Sequence, residues 1–187
     1  LASHVAVRLL EAGYRVRGTV RDPDKSATTR EAILAVIPDA ADRLDFVGAD
    51  LNRDEGWDAA VSGARYIMHT ASPFPMESPD SDGELVEPAR QGTLRVLRAA
   101  TAAGAERVVV TSSIAAIIGG HDNVAGPLGA DAWSDVDAPR MSAYTRSKTI
   151  AERAAWDYVR ETTGAPDLVT VNPGAILGPV LIPRLGT

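Results

Sequence analysis

The residues of this chain best suited to chemistry are Tyr144 and Lys148, in the run Tyr144-Thr145-Arg146-Ser147-Lys148. On a helix this spacing sets a phenol and an ammonium on one face, a turn apart. A phenol titrates near pH 10 in water and is a slow proton shuttle at neutral pH. A cation held within a few ångströms favours the phenolate and lowers that value by roughly 1–3 pH units, which makes a tyrosine a usable general acid and base. The spacing is also common on ordinary surface helices, so its meaning depends on what lies opposite it. Upstream, Val108-Val109-Val110 leads into Thr111-Ser112-Ser113, an apolar run of the kind expected for a strand buried on both faces. A hydroxyl at the carboxyl edge of such a strand lies where open α/β sheets take ligands. It can donate to a carbonyl oxygen on which negative charge develops. Serine after a strand also caps the segment that follows; on these residues alone both roles stand open for Ser112 and Ser113.

The elements that must position these groups follow from hydrophobic period and turn residues. Residues 1–13 read as a helix with Val5, Leu9 and Leu10 on one face and Gly13 as its stop. Strands are expected at 14–20, 44–47, 65–70, 108–110 and 168–171. Helices are expected at 26–37, 54–62, 84–103 and 142–161, the third bent near its start by Pro88. Loops fill 71–79 and 119–140, and Asn172-Pro173-Gly174 closes the last strand. Strands alternating with helices specify an α/β fold, a doubly wound parallel sheet of Rossmann type, with residues 1–187 forming one domain. Ile114, Ile117 and Ile118, just past the serines, are either a pocket wall for an apolar substrate or core.

Composition narrows the function. With 45% hydrophobic and 24% charged residues the chain is an ordinary globular one. A net charge of −6 argues against general nucleic-acid binding, which needs clustered Lys and Arg. There is no cysteine, which excludes disulfides, thiolate metal sites and cysteine nucleophiles. No apolar run approaches the ~20 residues that cross a bilayer. A cytoplasmic protein acting on a small molecule is the expectation. His4, His69 and His121 stand apart from one another, and Asp122 and the acidic stretch 131–137 read as solvated surface, so no metal site is expected.

Taken together the motifs resemble the extended short-chain dehydrogenase/reductases of the NAD-dependent epimerase/dehydratase superfamily. They are most similar to the branch that holds dihydroflavonol reductases, cinnamoyl-CoA reductases and microbial aldehyde or ketone reductases. The resemblance rests on Arg17-Gly18-Thr19-Val20-Arg21-Asp22-Pro23, Gly48-Ala49-Asp50-Leu51, His69-Thr70-Ala71-Ser72-Pro73, Val110-Thr111-Ser112-Ser113, Trp133-Ser134-Asp135 and Ser147-Lys148-Thr149 with Ala151-Glu152, Ala154 and Trp156 beyond it. These run in family order through essentially the whole chain. The resemblance implies reduction of an aldehyde or ketone, with Ser113, Tyr144 and Lys148 catalytic and Tyr144 the proton donor. It implies that Lys148 also holds the nicotinamide ribose, that Asp50 and Leu51 flank the adenine, that Thr70, Ala71 and Ser72 lie along the ribose and phosphates, and that Pro173 and Gly174 touch the nicotinamide. Trp133-Ser134-Asp135 favours this branch over the nucleotide-sugar epimerases and dehydratases. Retention of both Tyr144 and Lys148 argues against a non-catalytic, NADP-sensing regulator.

The cofactor choice has a physical basis as well. NAD-preferring sites commonly carry an acid for the ribose 2′-hydroxyl at the end of the second strand, whereas a 2′-phosphate calls for a cation. Here that position is Arg21, with Lys25 nearby, and a guanidinium suits a phosphate; NADP is therefore expected over NAD, although Asp22 sits between them. The glycine-rich phosphate loop of the family is expected to be missing, with Ala2 at its last small-residue position. The same comparison expects the first, central strand to be lacking between 14–20 and 65–70, and the substrate-binding part to lie beyond Thr187, so that the 187 residues alone would be inactive. Ile118 stands where dihydroflavonol reductases carry a substrate-contacting Asn, and Met141-Ser142-Ala143-Tyr144 lacks the Asn-Trp-Tyr-Cys of cinnamoyl-CoA reductases. Both departures point away from the plant activities.

Overall fold

The chain is described by a computed structural model over residues 1–72, 83–121 and 126–181; Asp122, most of the loop expected at 71–79 and the last residues lie outside these. Helix α1 (Ala2–Glu11) buries Val7 and Leu10, so its core face runs through Val7, with Val5 and Leu9 only half-buried. The helix stops at Gly13 (φ 86°), where the amides of Gly13 and Tyr14 bond back to the Leu10 and Leu9 carbonyls. That commits the Tyr14 N–H to the helix end, and strand β1 accordingly begins at Val16 (Val16–Val20) rather than at 14. Helix α2 (Ser26–Leu34) ends short of 37 because Ile37 precedes Pro38, and a residue before proline is pushed out of the helical region; its φ and ψ are −131° and 79°. Strand β2 (Leu44–Gly48) pairs in parallel with β1, Val16 opposite Leu44 and Val20 opposite Gly48.

Helix α3 (Trp57–Val61) starts later than expected, after Gly56 at φ 88°. It is followed by β3 (Tyr66–His69), α4 (Gly83–Ala102), which continues through Pro88, and β4 (Arg107–Thr111). A short helix α5 (Ala115–Ile118) occupies the stretch between the expected strand at 108–110 and the expected loop at 119–140, to which the sequence assigns no element. Helix α6 (Ala143–Glu161) and β5 (Asp167–Val171) close the order. Strands β3, β4 and β5 form a second parallel sheet in that spatial order, separate from β1–β2. No described residue pairs β1 with β3, the interval in which the sequence places its missing strand.

Three cores hold the elements. Val7, Leu10, Ile33 and Leu44 join α1 and α2 to one face of β1–β2. Trp57, Val61, Val96 and Ala99 join α3 to α4, with Val47 and Ile67 packed on from the two sheets. Leu97, Val108, Val110 and Ala155 join α4 and α6 to the second sheet. Burial on both faces, expected of that sheet, holds for one. Val108 and Val110 are buried against the helices, while Tyr66, Met68, Val169 and Val171 on the other face are exposed, as strand alternation requires when only one face is covered.

Candidate active site

Every strand here is parallel to its sheet neighbours, so the expected site residues fall at the carboxyl ends of the strands. Arg21 follows β1, Asp50 and Leu51 follow β2, Thr70 to Ser72 follow β3, Ser112 and Ser113 follow β4, and Pro173 and Gly174 follow β5. Ligands of open α/β sheets bind at this edge.

Helix α6 supplies the charged part of the site. Ser142 caps it, accepting the Thr145 N–H at 3.0 Å, which satisfies an otherwise unpaired first-turn donor and places Tyr144 in the opening turn. One turn on, the Lys148 Nζ lies 5.8 Å from the Tyr144 ring centroid, within cation–π range. Lys148 is buried; burial pushes its pKa below the usual lysine value, and the Glu152 carboxylate a further turn along opposes that fall. Lys148 and Glu152 line one small cavity with Ala71, Ser72, His69 and Ser112. The Ser112 hydroxyl is buried there and has no hydrogen-bond partner. An ammonium and an orphaned hydroxyl at one cavity have the hydrogen-bonding chemistry to hold the hydroxyls of a nicotinamide ribose. Burial holds the His69 imidazole neutral, with its pKa lowered to about 4, and the nearby Lys148 charge adds to that.

Ser113 and Tyr144 do not line that cavity. The buried Ser113 Oγ accepts the Ala115 N–H at 3.1 Å, satisfying the first amide of α5 from one residue before its N-cap Ile114. Accepting leaves its own proton to donate elsewhere, and the capping and oxyanion roles are compatible. Its carbonyl accepts from the Asn172 side-chain amide at 3.1 Å, and the same amide donates to Glu152 Oε2 at 2.7 Å. The ends of β4 and β5 are thereby tied to α6. Trp133-Ser134-Asp135 acquires a structural role. Ser134, fully buried, donates to the Ala115 carbonyl at 2.7 Å and accepts the Gly119 N–H at 2.7 Å, clamping α5. Gly119 must be small, since a Cβ there would stand 2.7 Å from Thr145 Cγ2 on α6.

Arg21 is exposed at the end of β1. The Lys25 ammonium meets Asp22 at 3.0 Å on the surface, which lowers the Asp22 pKa. Asp50 turns back to accept the Asn52 N–H at 2.9 Å. Leu51 packs against Gly92 of α4, where an added Cβ would lie 3.0 Å from the Leu51 Cβ. Ile114 and Ile118 are 41% and 49% exposed, which removes them from the core and leaves them as apolar surface beside Ser113. His4 bonds the Pro179 carbonyl and His121 the Trp133 carbonyl, each at 2.9 Å. Among the described residues no His/Cys/Asp/Glu group could hold a metal, and no helix is long and apolar enough to cross a membrane. Glu152 and Asn172 are given no role by the sequence; the one available signal for Glu152 is the turn-by-turn stripe Tyr144, Lys148, Glu152 on α6.

Parallel strands between helices, with a phenol–ammonium pair and strand-end hydroxyls at one edge, define an α/β protein of Rossmann type. The chain belongs to the NAD dependent epimerase/dehydratase family, whose model matches residues 1–184. It is 38% identical over 192 residues to a cinnamoyl-CoA reductase of Medicago truncatula, covering 100% of this chain and 58% of that one. It is 34% identical over 190 residues to a bifunctional dihydroflavonol 4-reductase/flavanone 4-reductase of Malus domestica, covering 99% and 53%. Among solved structures it is similar to vestitone reductase from alfalfa (TM-score 0.79, 30% identity, 98% of this chain and 56% of that one). It is likewise similar to the yeast methylglyoxal/isovaleraldehyde reductase complexed with NADPH (TM-score 0.78, 27% identity, 95% and 56%). The chain spans about half the length of the curated relatives it matches.

Proposed function

We propose that the complete protein reduces an aldehyde or ketone to the alcohol with NADPH, and that Tyr144, Lys148 and Ser113 are its catalytic residues. The observation that carries this is the buried Lys148 ammonium 5.8 Å from the Tyr144 ring at the strand-end edge. The cofactor supplies the hydride. Tyr144 gives its proton to the substrate oxygen, and Lys148 stabilises the negative charge left on the phenol. Ser113, its hydroxyl proton uncommitted, donates to the same oxygen as charge gathers there. Lys148, Ser72 and the Ser112 hydroxyl hold the nicotinamide ribose, Asp50 and Leu51 flank the adenine, Thr70 and Ala71 follow the phosphates, and Pro173 and Gly174 form the nicotinamide wall. Arg21 takes the 2′-phosphate; Lys25 contributes once it leaves Asp22. Exposed Ile114 and Ile118 favour an apolar carbonyl substrate. The reading is supported by the NADPH bound to the yeast reductase and by the reductase names of the relatives.

Tyr144→Phe in the complete protein removes the phenolic hydroxyl and with it the transferable proton, and keeps the ring. Turnover is expected to fall by about 10²–10⁴-fold, with the NADPH dissociation constant little changed in a fluorescence titration. Wild-type turnover in this variant would remove Tyr144 from the mechanism.

A further inference from the structure

The geometry points to Glu152 and Asn172 as a couple of positioning residues that sets the Lys148 face of α6 against the Ser113 end of β4. The inference rests on the reductase reading above and adds to it a part that the Ser–Tyr–Lys assignment does not use.

Glu152 lies one turn beyond Lys148 and is itself buried. A buried carboxylate is costly unless hydrogen-bonded, and its partner is the Asn172 amide at 2.7 Å. That amide has two hydrogens, and the second goes to the Ser113 carbonyl at 3.1 Å. With both donors engaged, the Asn172 side chain can hold only one orientation. Backbone bonds reinforce the junction: the Ser112 N–H reaches the Val171 carbonyl at 2.8 Å, and the Ile114 N–H reaches the Pro173 carbonyl at 3.0 Å. Serine, lysine helix and the strand end bearing Pro173-Gly174 thus meet through one amide and one carboxylate.

Glu152 also acts on Lys148 by charge. Among the described residues the titratable groups facing Lys148 are Tyr144 and Glu152 on its own helix and His69 at the end of β3. Thr93 from α4 and Thr111 and Ser112 from β4 face the same cavity and do not titrate. With His69 neutral, Glu152 is the negative charge in that group that favours the ammonium. Position and charge can be separated by substitution. Glu152→Gln keeps an oxygen for the Asn172 amide and removes the charge. Asn172→Ala keeps the charge and breaks the tie.

In the complete protein, Glu152→Gln is expected to move the alkaline limb of the kcat–pH profile down by about one pH unit, because Lys148 loses its proton earlier. Its turnover at pH 6–7 stays within a few-fold of wild type. Asn172→Ala is expected to lower kcat about tenfold at every pH, through misplacement of the serine relative to α6, with the limb unmoved. If either variant does not accumulate folded, Glu152→Asp serves instead: it keeps the charge and shortens the reach, so kcat falls while the limb stays. A limb unmoved in Glu152→Gln together with wild-type kcat in Asn172→Ala, or wild-type kcat in Glu152→Asp where it stands in, overturns the inference. Those results beside an inactive Tyr144→Phe reject the couple alone, whereas an active Tyr144→Phe rejects the underlying reductase mechanism.

Discussion

His69 sits at the end of β3, buried and neutral, with its pKa lowered to about 4 from the ordinary 6.5 chiefly by burial. In the unfolded chain the same imidazole takes up a proton near pH 6.5. Between about 6.5 and 4 the unfolded state therefore holds more protons, so stability is full above that window and is lost as the pH falls through it, by about 3 kcal/mol in all. Urea unfolding at pH 7.5 and pH 5 should show this loss, and His69→Gln should flatten it; an equal pH dependence in the variant would mean that other groups dominate. Tyr144 and Lys148 were legible in the sequence because their relation is local, one turn of one regular helix. The Asn172 contacts to Glu152 and Ser113 were not, because they join residues brought together only by the crossover between strands. Lys25 shows the same limit at short range: its pairing with Asp22 depends on a turn that a residue pattern does not specify.

At the scale of elements, the strand ends carry the candidate site, and α5 bonds to Ser113 through the Ala115 N–H. The sequence placed each strand to within a few residues, since β-branched runs between Gly and Pro are distinctive. It missed α5, because Ala115-Ala116-Ile117-Ile118 is too short to show a helical period. What makes α5 a helix is tertiary: Ala116 is fully buried, and Ser134 bonds at 2.7 Å to both the Ala115 carbonyl and the Gly119 N–H. Ser134→Ala would remove the partner of both half-buried backbone groups. A loss of about 2–3 kcal/mol in denaturant unfolding is expected, along with reduced kcat, because Ser113 bonds directly to Ala115. Unchanged stability would show that water replaces the hydroxyl.

For the whole molecule the division of strands into separate sheets matters most. β1 and β3 present ladder groups that no described residue pairs, and Tyr66, Met68, Val169 and Val171 leave one sheet face exposed. Exposed apolar surface and open strand edges favour association. The 187-residue chain is expected to bind an apolar dye and to self-associate on sizing columns; a monomer that leaves the dye dark would refute this. The doubly wound class was legible because it needs only the alternation of element types, whereas the uncovered face depends on which helices are there to cover it.

The parallel register has a consequence for how the chain acquires its structure. Every ladder joins segments with at least one full helix between them, so no strand can pair by a hairpin. Loop closure must come first, which slows the search and places the nucleus where the intervening stretch is shortest. That stretch lies between β1 and β2, and it carries α2 with Ile33 and Ile37 already in the same core as Leu44. The β1–α2–β2 unit is thus the natural starting point of assembly, and the β4–β5 ladder, which must close over both α5 and α6, is the slowest to form.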